Sequence, residues 1–317
     1  VAILAQNRAV GTGTGGDKTP PVPAVRRFFR ANAFGYALIA PQLIGFAIFG
    51  LVTTVQSIWL SLNSINALSG VTTFVGLENY VNLITGDRFP LVFTNTVFFV
   101  AAFSLLNIAV AMGIALLLNN RLRGVNIFRA AVFIPALVTM VAWALVSRFI
   151  LQPEGLLDFL VSFTGAEETP WLRSRWLTLT VIIFVQLTKN VGINVLLCLA
   201  GLQAVDRELL EAAETDGAGW WARFRHVTIP QVSPTLFMVF LLTVVASFKV
   251  FEVILILTNG GPGYETNVLS FMIYDEAFRR HDFGEASALA VILLLMIIVV
   301  SSVLWAIRKK LVYAEND

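Results

Sequence analysis

Six stretches of this chain are apolar enough, over sufficient length, to cross a lipid bilayer as helices. A hydrocarbon core about 30 Å thick requires about 20 helical residues. The runs are residues 34–62, 91–118, 130–151, 176–202, 234–258 and 284–307. The first contains Pro41 and Gly45, which a membrane helix tolerates where neighbouring groups re-satisfy the freed carbonyl. Between the runs the pattern turns polar. Residues 63–90 include Val75-Gly-Leu-Glu-Asn-Tyr80, which predicts a short surface helix. A basic loop at 119–124 precedes the third run, and a Pro- and Gly-containing connection at 152–175 follows it. Asn259-Gly-Gly-Pro-Gly263 is a turn cluster, and its connection runs to Phe283. The pattern predicts an all-α polytopic membrane protein with six transmembrane helices.

The ends of the chain read differently. In residues 1–33, Gly11–Gly16 is a flexible composition and Pro20-Pro-Val-Pro23 an extended one. Arg26, Arg27 and Arg30 precede the first run, as they would in a secretory signal. That run is too long for a signal core, and no small-residue cleavage site stands out. The expectation is therefore a flexible tail at 1–33, a membrane domain at 34–308 and a short tail at 309–317.

Composition supports the membrane class. Of 317 residues, 57% are hydrophobic and 13% charged, against roughly 25% charged in soluble domains. A net charge of +2 gives no reason to expect nucleic-acid binding. Cys198 is the sole cysteine, so neither an internal disulfide nor a thiolate cluster can form within the chain. His226 and His281 are far apart, which leaves metal and Ser-His-Asp chemistry without support.

The distribution of lysine and arginine sets the orientation. Fourteen lie on the side of the N-terminus, five on the other side, and Arg148, Lys189 and Lys249 within runs. Both termini are thus expected in the cytoplasm, together with the polar segment 203–233. Trp59, Trp171, Trp176 and Trp305 fall near run ends, where interfacial aromatics belong.

Segment 203–233 is the most distinctive polar stretch. Asp206 can cap a helix through Arg207-Glu-Leu-Leu-Glu-Ala-Ala-Glu214, with Glu208 favourable near its start. Leu209, Leu210 and Ala213 share one face. Gly217 is placed to end that helix in a left-handed cap. A second short helix is expected from Trp220 to Val227, stopping before Pro230. Trp220, Trp221 and Phe224 would favour an interface. From these residues alone, two readings stand: a protruding handle for a partner protein, or an amphipathic loop lying on lipid.

Glu211-Ala212-Ala213, then Asp216-Gly217-Ala218, Phe224 and Ile229-Pro230, resembles the EAA loop of ATP-binding-cassette importer permeases. Leu257-Thr-Asn-Gly-Gly-Pro262 and Phe283-Gly-Glu-Ala-Ser-Ala-Leu-Ala290 resemble motifs of the carbohydrate-uptake group, which serves maltose, trehalose and glycerol phosphate. The resemblance extends from about Arg129 to Ile307 and is weaker in the first run. The large periplasmic insertion and extra N-terminal spans of the maltose permease are absent. The resemblance implies a type I ABC importer permease fold in a bacterial or archaeal plasma membrane. It makes Glu211, Ala212, Ala213, Asp216, Gly217, Trp220 and Phe224 the residues that couple to an ATPase. Implied partners are a second permease subunit in a heterodimer, an ATPase dimer, an extracytoplasmic solute-binding protein, a sugar and the lipid bilayer. ATP and magnesium would reside on the ATPase, and this chain has no Gly-x4-Gly-Lys-Ser/Thr loop.

Polar residues inside membrane helices are costly and become functional candidates. Gln186, Lys189, Asn190 and Asn194 share one face of the fourth run, and Thr243 and Ser247 one face of the fifth. By resemblance to the maltose permease, Gln186, Asn190, Asn194, Thr243 and Ser247 are candidates for the substrate pathway. The alternative is that they hydrogen-bond neighbouring helices. Lys249 and Glu252 have the spacing of an ion pair. Arg279, Arg280, His281 and Asp282 form a polar cluster that is either a docking surface or a solvated loop. An ion-coupled secondary sugar carrier is the alternative function. It would need buried acidic relays and inverted repeats, and only Glu252 is an acidic residue well inside a run.

Overall fold

The computed structural model describes residues 33–65, 71–120, 124–153, 155–163, 171–172 and 174–311. Arg121, Arg123, Arg173 and nearly all of the two tails lie outside the described residues. The chain divides into two units, residues 1–55 and 56–317.

In the first unit, α1 (Ala33–Phe46) passes into a π-helical stretch, Ala47–Val52. Pro41 sits inside α1 without ending it. The hydroxyl of Thr53 donates to the Phe49 carbonyl at 2.6 Å, and that of Thr54 to Gly50 at 2.8 Å. These bonds re-satisfy carbonyls where the helix is widened. The helix continues as α2 (Thr53–Ser61), and together they give a candidate span from Ala37 to Ser61.

The second unit begins within α2, which is followed by an antiparallel hairpin, β1 (Asn63–Ile65) and β2 (Thr72–Phe74), with Asn63 opposite Phe74. The expected surface helix is α3 (Glu78–Thr85), slightly later than its predicted position. Then follow α4 (Arg88–Asn119), α5 (Val125–Leu137), α6 (Met140–Leu151), α7 (Leu156–Ser162) and α8 (Arg175–Gln203). α9 (Arg207–Thr215), α10 (Trp220–Arg223) and α11 (Ile229–Ser247) carry the chain through the polar segment and back into the apolar region. α12 (Glu252–Leu257), α13 (Leu269–Tyr274) and α14 (Phe283–Leu311) complete it.

Among the described residues, five helices are long and apolar enough to cross a membrane, and there are six spans if the bent pair α5 and Met140–Ser162 counts as one. Where one run was expected at 130–151, the chain forms two helices that meet at a bend. α5 and the helix beginning at Met140 meet at 99°. Pro135 lacks an N–H and crowds the preceding turn, Val138 is extended, and Thr139 starts a new helix by accepting from the Ala142 N–H. The carbonyls freed at the end of α5 need partners in an apolar medium. Lys189 of α8 supplies one, its ammonium donating to the Ala136 carbonyl at 3.1 Å.

The fifth span also differs from the expected 234–258. Its helix runs from Trp220 to Ser247, and the chain breaks before α12. Pro230 and Pro234 do not stop it. A π-helical turn at Phe224–Thr228 precedes Pro230, and the Ser233 hydroxyl donates at 2.7 Å to the Pro230 carbonyl that Pro234 cannot serve. Lys249 and Glu252 therefore flank a break instead of sharing a helix face. Both are exposed, and no ion pair joins them among the described residues.

Inside the second unit, α4 and α8 pack along their length. Phe99, Phe103, Ala111 and Ala115 of α4 join Ile182, Val195 and Cys198 of α8 and Val232 and Val239 of α11 in one buried cluster. Hydrocarbon tails are as apolar as leucine, so contact between membrane helices depends on close packing and small residues. Gly192 shows why: a Cβ there would lie 2.4 Å from the Val132 carbonyl oxygen of α5. A smaller cluster of Leu83, Val92, Leu269, Met272 and Leu289 ties α3 to α4, α13 and α14.

Candidate functional site

The polar segment folds as two short helices meeting at a sharp bend. The Asp206 carboxylate accepts from the Glu208 N–H at 2.9 Å, capping α9. The Asp206 N–H donates to Gln231 at 2.9 Å and so fastens the start of the segment to α11. At the other end of α9, Gly217 has φ +82°, the left-handed conformation expected from its position. The Ala218 N–H reaches the Ala213 carbonyl at 2.9 Å and the Gly217 N–H reaches Glu214 at 3.0 Å. That pair of bonds is a Schellman cap. Arg223 is ion-paired with Glu214 across the bend, which links α9 to α10. The helix predicted to end before Pro230 instead runs into α11, so the second half of the loop, from Trp220, is continuous with a membrane span.

Leu210 and Ala213 are half-buried, with Leu210 packed against the core, whereas Leu209 is exposed. Glu211, Ala212, Asp216 and Gly217 are exposed. Trp220 and Phe224 stack with ring centroids 5.6 Å apart, and Trp221 lies 5.5 Å from Phe224. Trp220 and Trp221 are 65% and 61% exposed. Two tryptophans so placed are poorly matched to water and well matched to an interface. Beneath them a cleft of about 300 Å³ is lined by Leu116, Asn119, Asn120, Leu210, Trp220 and Arg223, among others. The end of α4 thus faces the loop. Arg129 marks the same end by donating to the Leu118 carbonyl at 3.1 Å.

The expected pathway residues separate into two groups. Asn194 donates to Asn107 of α4, and at 3.0 Å to Thr243 of α11. Ser247 lies 3.4 Å from Ser104 of α4. Thr243 and Ser247 are 5% and 1% exposed. Asn194, Thr243 and Ser247 thus hydrogen-bond or lie against side chains at a seam between α4, α8 and α11. Gln186 and Asn190, one turn apart on α8, keep unspent capacity. The buried Gln186 side-chain oxygen has no partner, and Asn190 makes no side-chain hydrogen bond among the described residues. Lys189 between them faces the bend of the third span.

Asn107 was missed from the sequence. It is fully buried, and its amide nitrogen has no partner among the described residues. Ser104 and Asn107, spaced i and i+3 in the second apolar run, were the available signal. Asn95 was missed too. It donates to the carbonyls of Glu265 and Asn267 at 2.8 and 2.9 Å and accepts from Arg175 at 3.0 Å. These bonds fix the turn after the Gly-Gly-Pro sequence. In the Gly-Gly-Pro sequence itself, a Cβ on Gly260 (φ +83°) would meet Phe271 at 2.8 Å.

On the side opposite the loop, the cluster at 279–282 is more ordered than a solvated loop. Arg279 pairs with Asp275 at 3.2 Å, and Arg280 with Asp275 and Glu276 at 3.5 Å each. Arg280 also donates to the Tyr264 hydroxyl at 3.3 Å, and Arg88 stacks on that ring at 4.1 Å. Burial, reinforced by Glu285 and Asp275, pushes the Glu276 carboxyl up to about 7 against the opposing pull of Arg88. Asp282 caps α14 by accepting from the Glu285 N–H at 2.9 Å.

Comparison with known proteins places this geometry in a family. Residues 108–312 match the family described as the inner membrane component of binding-protein-dependent transport systems. The chain is 32% identical over 271 residues to the probable ABC transporter permease YurN of Bacillus subtilis, covering 84% of this chain and 92% of that one. It is 30% identical to the trehalose/maltose permease MalF of Thermococcus litoralis, covering 85% and 92%. The identity is also 30% to the sn-glycerol-3-phosphate permease UgpA of Escherichia coli, covering 88% and 95%. A crystal structure of a bacterial ABC transporter that imports the acidic polysaccharide alginate shares the fold, with TM-score 0.80 at 21% identity, over 90% of this chain and 98% of the other. The chain therefore belongs to the binding-protein-dependent transport family as a multi-pass membrane permease.

Proposed function

We propose that this permease forms half of the pathway of an ATP-driven carbohydrate importer and is moved by a separate ATPase that grips segment 206–229. One observation carries the proposal. The segment's second helix, from Trp220, runs without interruption into the membrane helix that ends at Ser247, its first helix is closed by a Schellman cap, and it presents two exposed tryptophans. Force applied at Trp220 and Trp221 would pass along the continuous helix into α11. Charge asymmetry favours a cytoplasmic loop and cytoplasmic termini. ATP and magnesium belong to the partner ATPase, and a solute-binding protein delivers the cargo on the opposite side. A second permease supplies the other half of the pathway. The relatives named for trehalose/maltose and sn-glycerol-3-phosphate transport support a polyhydroxylated substrate. Gln186 and Asn190 provide the free amide groups such a substrate would engage.

The test is uptake by proteoliposomes holding the full complex and its binding protein. Uptake is expected to continue when ionophores collapse every ion gradient and to stop when internal ATP is removed. Uptake that follows an ion gradient and ignores ATP would restore the secondary-carrier alternative.

A further inference from the structure

The segment between the first two spans bears an apolar stripe that the protein does not cover. α3 has three faces. Asn79 and Leu83 point inward and are 6% and 4% exposed. Leu77, just before α3, with Val81 and Ile84, follows i, i+4, i+7 spacing on a second face, and all three are more than half exposed. Glu78, Asn82 and Thr85 form a third, polar and exposed face beside the apolar one. Val71 and Phe74 of the hairpin region are exposed as well, Phe74 to 75%. A helix bathed in water turns its apolar stripe toward the protein. Here a buried asparagine occupies that position, and two of the three apolar side chains of α3 itself face outward.

The inward contacts fix where this element sits. The Asn79 amide donates to the carbonyls of Ser61 and Asn63 at 2.8 and 3.0 Å. The hydroxyls of Ser61 and Tyr80 are 2.7 Å apart. Leu83 packs with Val92 of α4 and Leu289 of α14. α3 is thereby held at the level where one span ends at Ser61 and the next begins at Arg88. This is also the end of α4 away from the polar loop. The height of span ends is the height of the bilayer's headgroup boundary. An in-plane interfacial helix needs an apolar side toward acyl chains and a polar side toward water. Residues 62–87 contain no lysine or arginine, only Glu78 and Asp87, so the contact is hydrophobic and does not depend on anionic lipid.

We infer that α3 and the adjoining hairpin form an interfacial anchor, with Leu77, Val81, Ile84 and Phe74 seated in the outer boundary of the lipid on the side opposite the coupling loop. The anchor lies in-plane and holds the chain at Ser61 beside the start of α4 near Val92.

Site-directed spin labelling tests this in the assembled transporter in phosphatidylcholine nanodiscs. Cys198 is fully buried and leaves the background silent. Labels at Leu77→Cys, Val81→Cys and Ile84→Cys should collide with oxygen several-fold more readily than with a water-soluble nickel chelate. Labels at Glu78→Cys and Asn82→Cys should show the reverse. The same pattern should persist when phosphatidylglycerol is added. Equal nickel access at all five positions would mean a solvated surface and overturn the inference. Labels at 77, 81 and 84 that are immobilised and shielded from both probes would instead place a protein partner on the stripe. If shielding appeared only after adding the solute-binding protein, that partner would be identified.

Discussion

Replacing Gly217 with valine is expected to lower ATP-dependent uptake at least ~tenfold, equivalent to about 1.4 kcal/mol of lost coupling, while the protein still inserts and accumulates in the membrane. Gly217 has φ +82°, and a Cβ added there meets nothing within 4 Å. The cost is therefore backbone strain and not collision. A β-branched residue in the left-handed region is a strong outlier, whereas asparagine is tolerated there. Gly217→Asn should accordingly keep most of the uptake. The pair of variants separates the bend from its surroundings, because both add a side chain and only valine opposes the conformation. Relaxing the bend would release the hydrogen bonds from Ala218 to Ala213 and from Gly217 to Glu214, and with them the angle between α9 and α10. Wild-type uptake by Gly217→Val would show that the bend does not transmit force. Equal damage from asparagine would assign the effect to the added side chain instead.

The second large effect is expected at the pathway face. Gln186→Ala combined with Asn190→Ala should raise KM for the transported sugar roughly 30-fold, with ATPase association intact. Two hydrogen bonds worth about 1 kcal/mol each give that factor. Asn194→Ala should behave differently. It removes the bonds to Asn107 and Thr243 that join three helices, so it should lower thermal stability, by about 1 kcal/mol, and leave KM nearly unchanged. Uptake kinetics and melting of the purified complex distinguish the two outcomes. An unchanged KM in the double variant, with reduced stability, would move Gln186 and Asn190 into the structural seam.

Hydrophobic runs made the spans legible because each run must fill a bilayer's thickness, and little else in a sequence does so. The loop was legible because Asp206 and Gly217 occupy the two positions where a helix end has few alternatives. The 99° bend was not. Apolarity is continuous through Pro135 and Val138 and says nothing about direction, although Pro135 and Thr139 are the punctuation that produces it. The start of the fifth span escaped for a related reason. Trp220–Ser247 begins in amphipathic sequence, so a hydrophobicity count places its entrance too late. Its end at Ser247 was hidden by Phe248, Val250 and Phe251, which extend the apolar run across a break in the helix. Spacing grouped Gln186, Lys189, Asn190 and Asn194 on one face of α8. It could not separate Asn194, spent on Asn107, from the two whose groups remain free. Partner choice between helices is a tertiary fact, and the face of one helix does not contain it.

The central claim is that the loop around Gly217 is where a separate ATPase takes hold. Photo-crosslinking from p-benzoylphenylalanine placed at Trp220, in the complete complex, tests it most directly. Trp220 is exposed and, among the described residues, its ring meets those of Trp221 and Phe224 in the loop. The expected product is a covalent adduct with the ATPase subunit, whose yield changes between the ATP-bound and nucleotide-free states. A probe at Thr85, on the side opposite the loop, should give no such adduct. If Trp220 attached only to lipid, with the same yield in both nucleotide states, the segment would be a membrane-surface loop and the coupling role would fall.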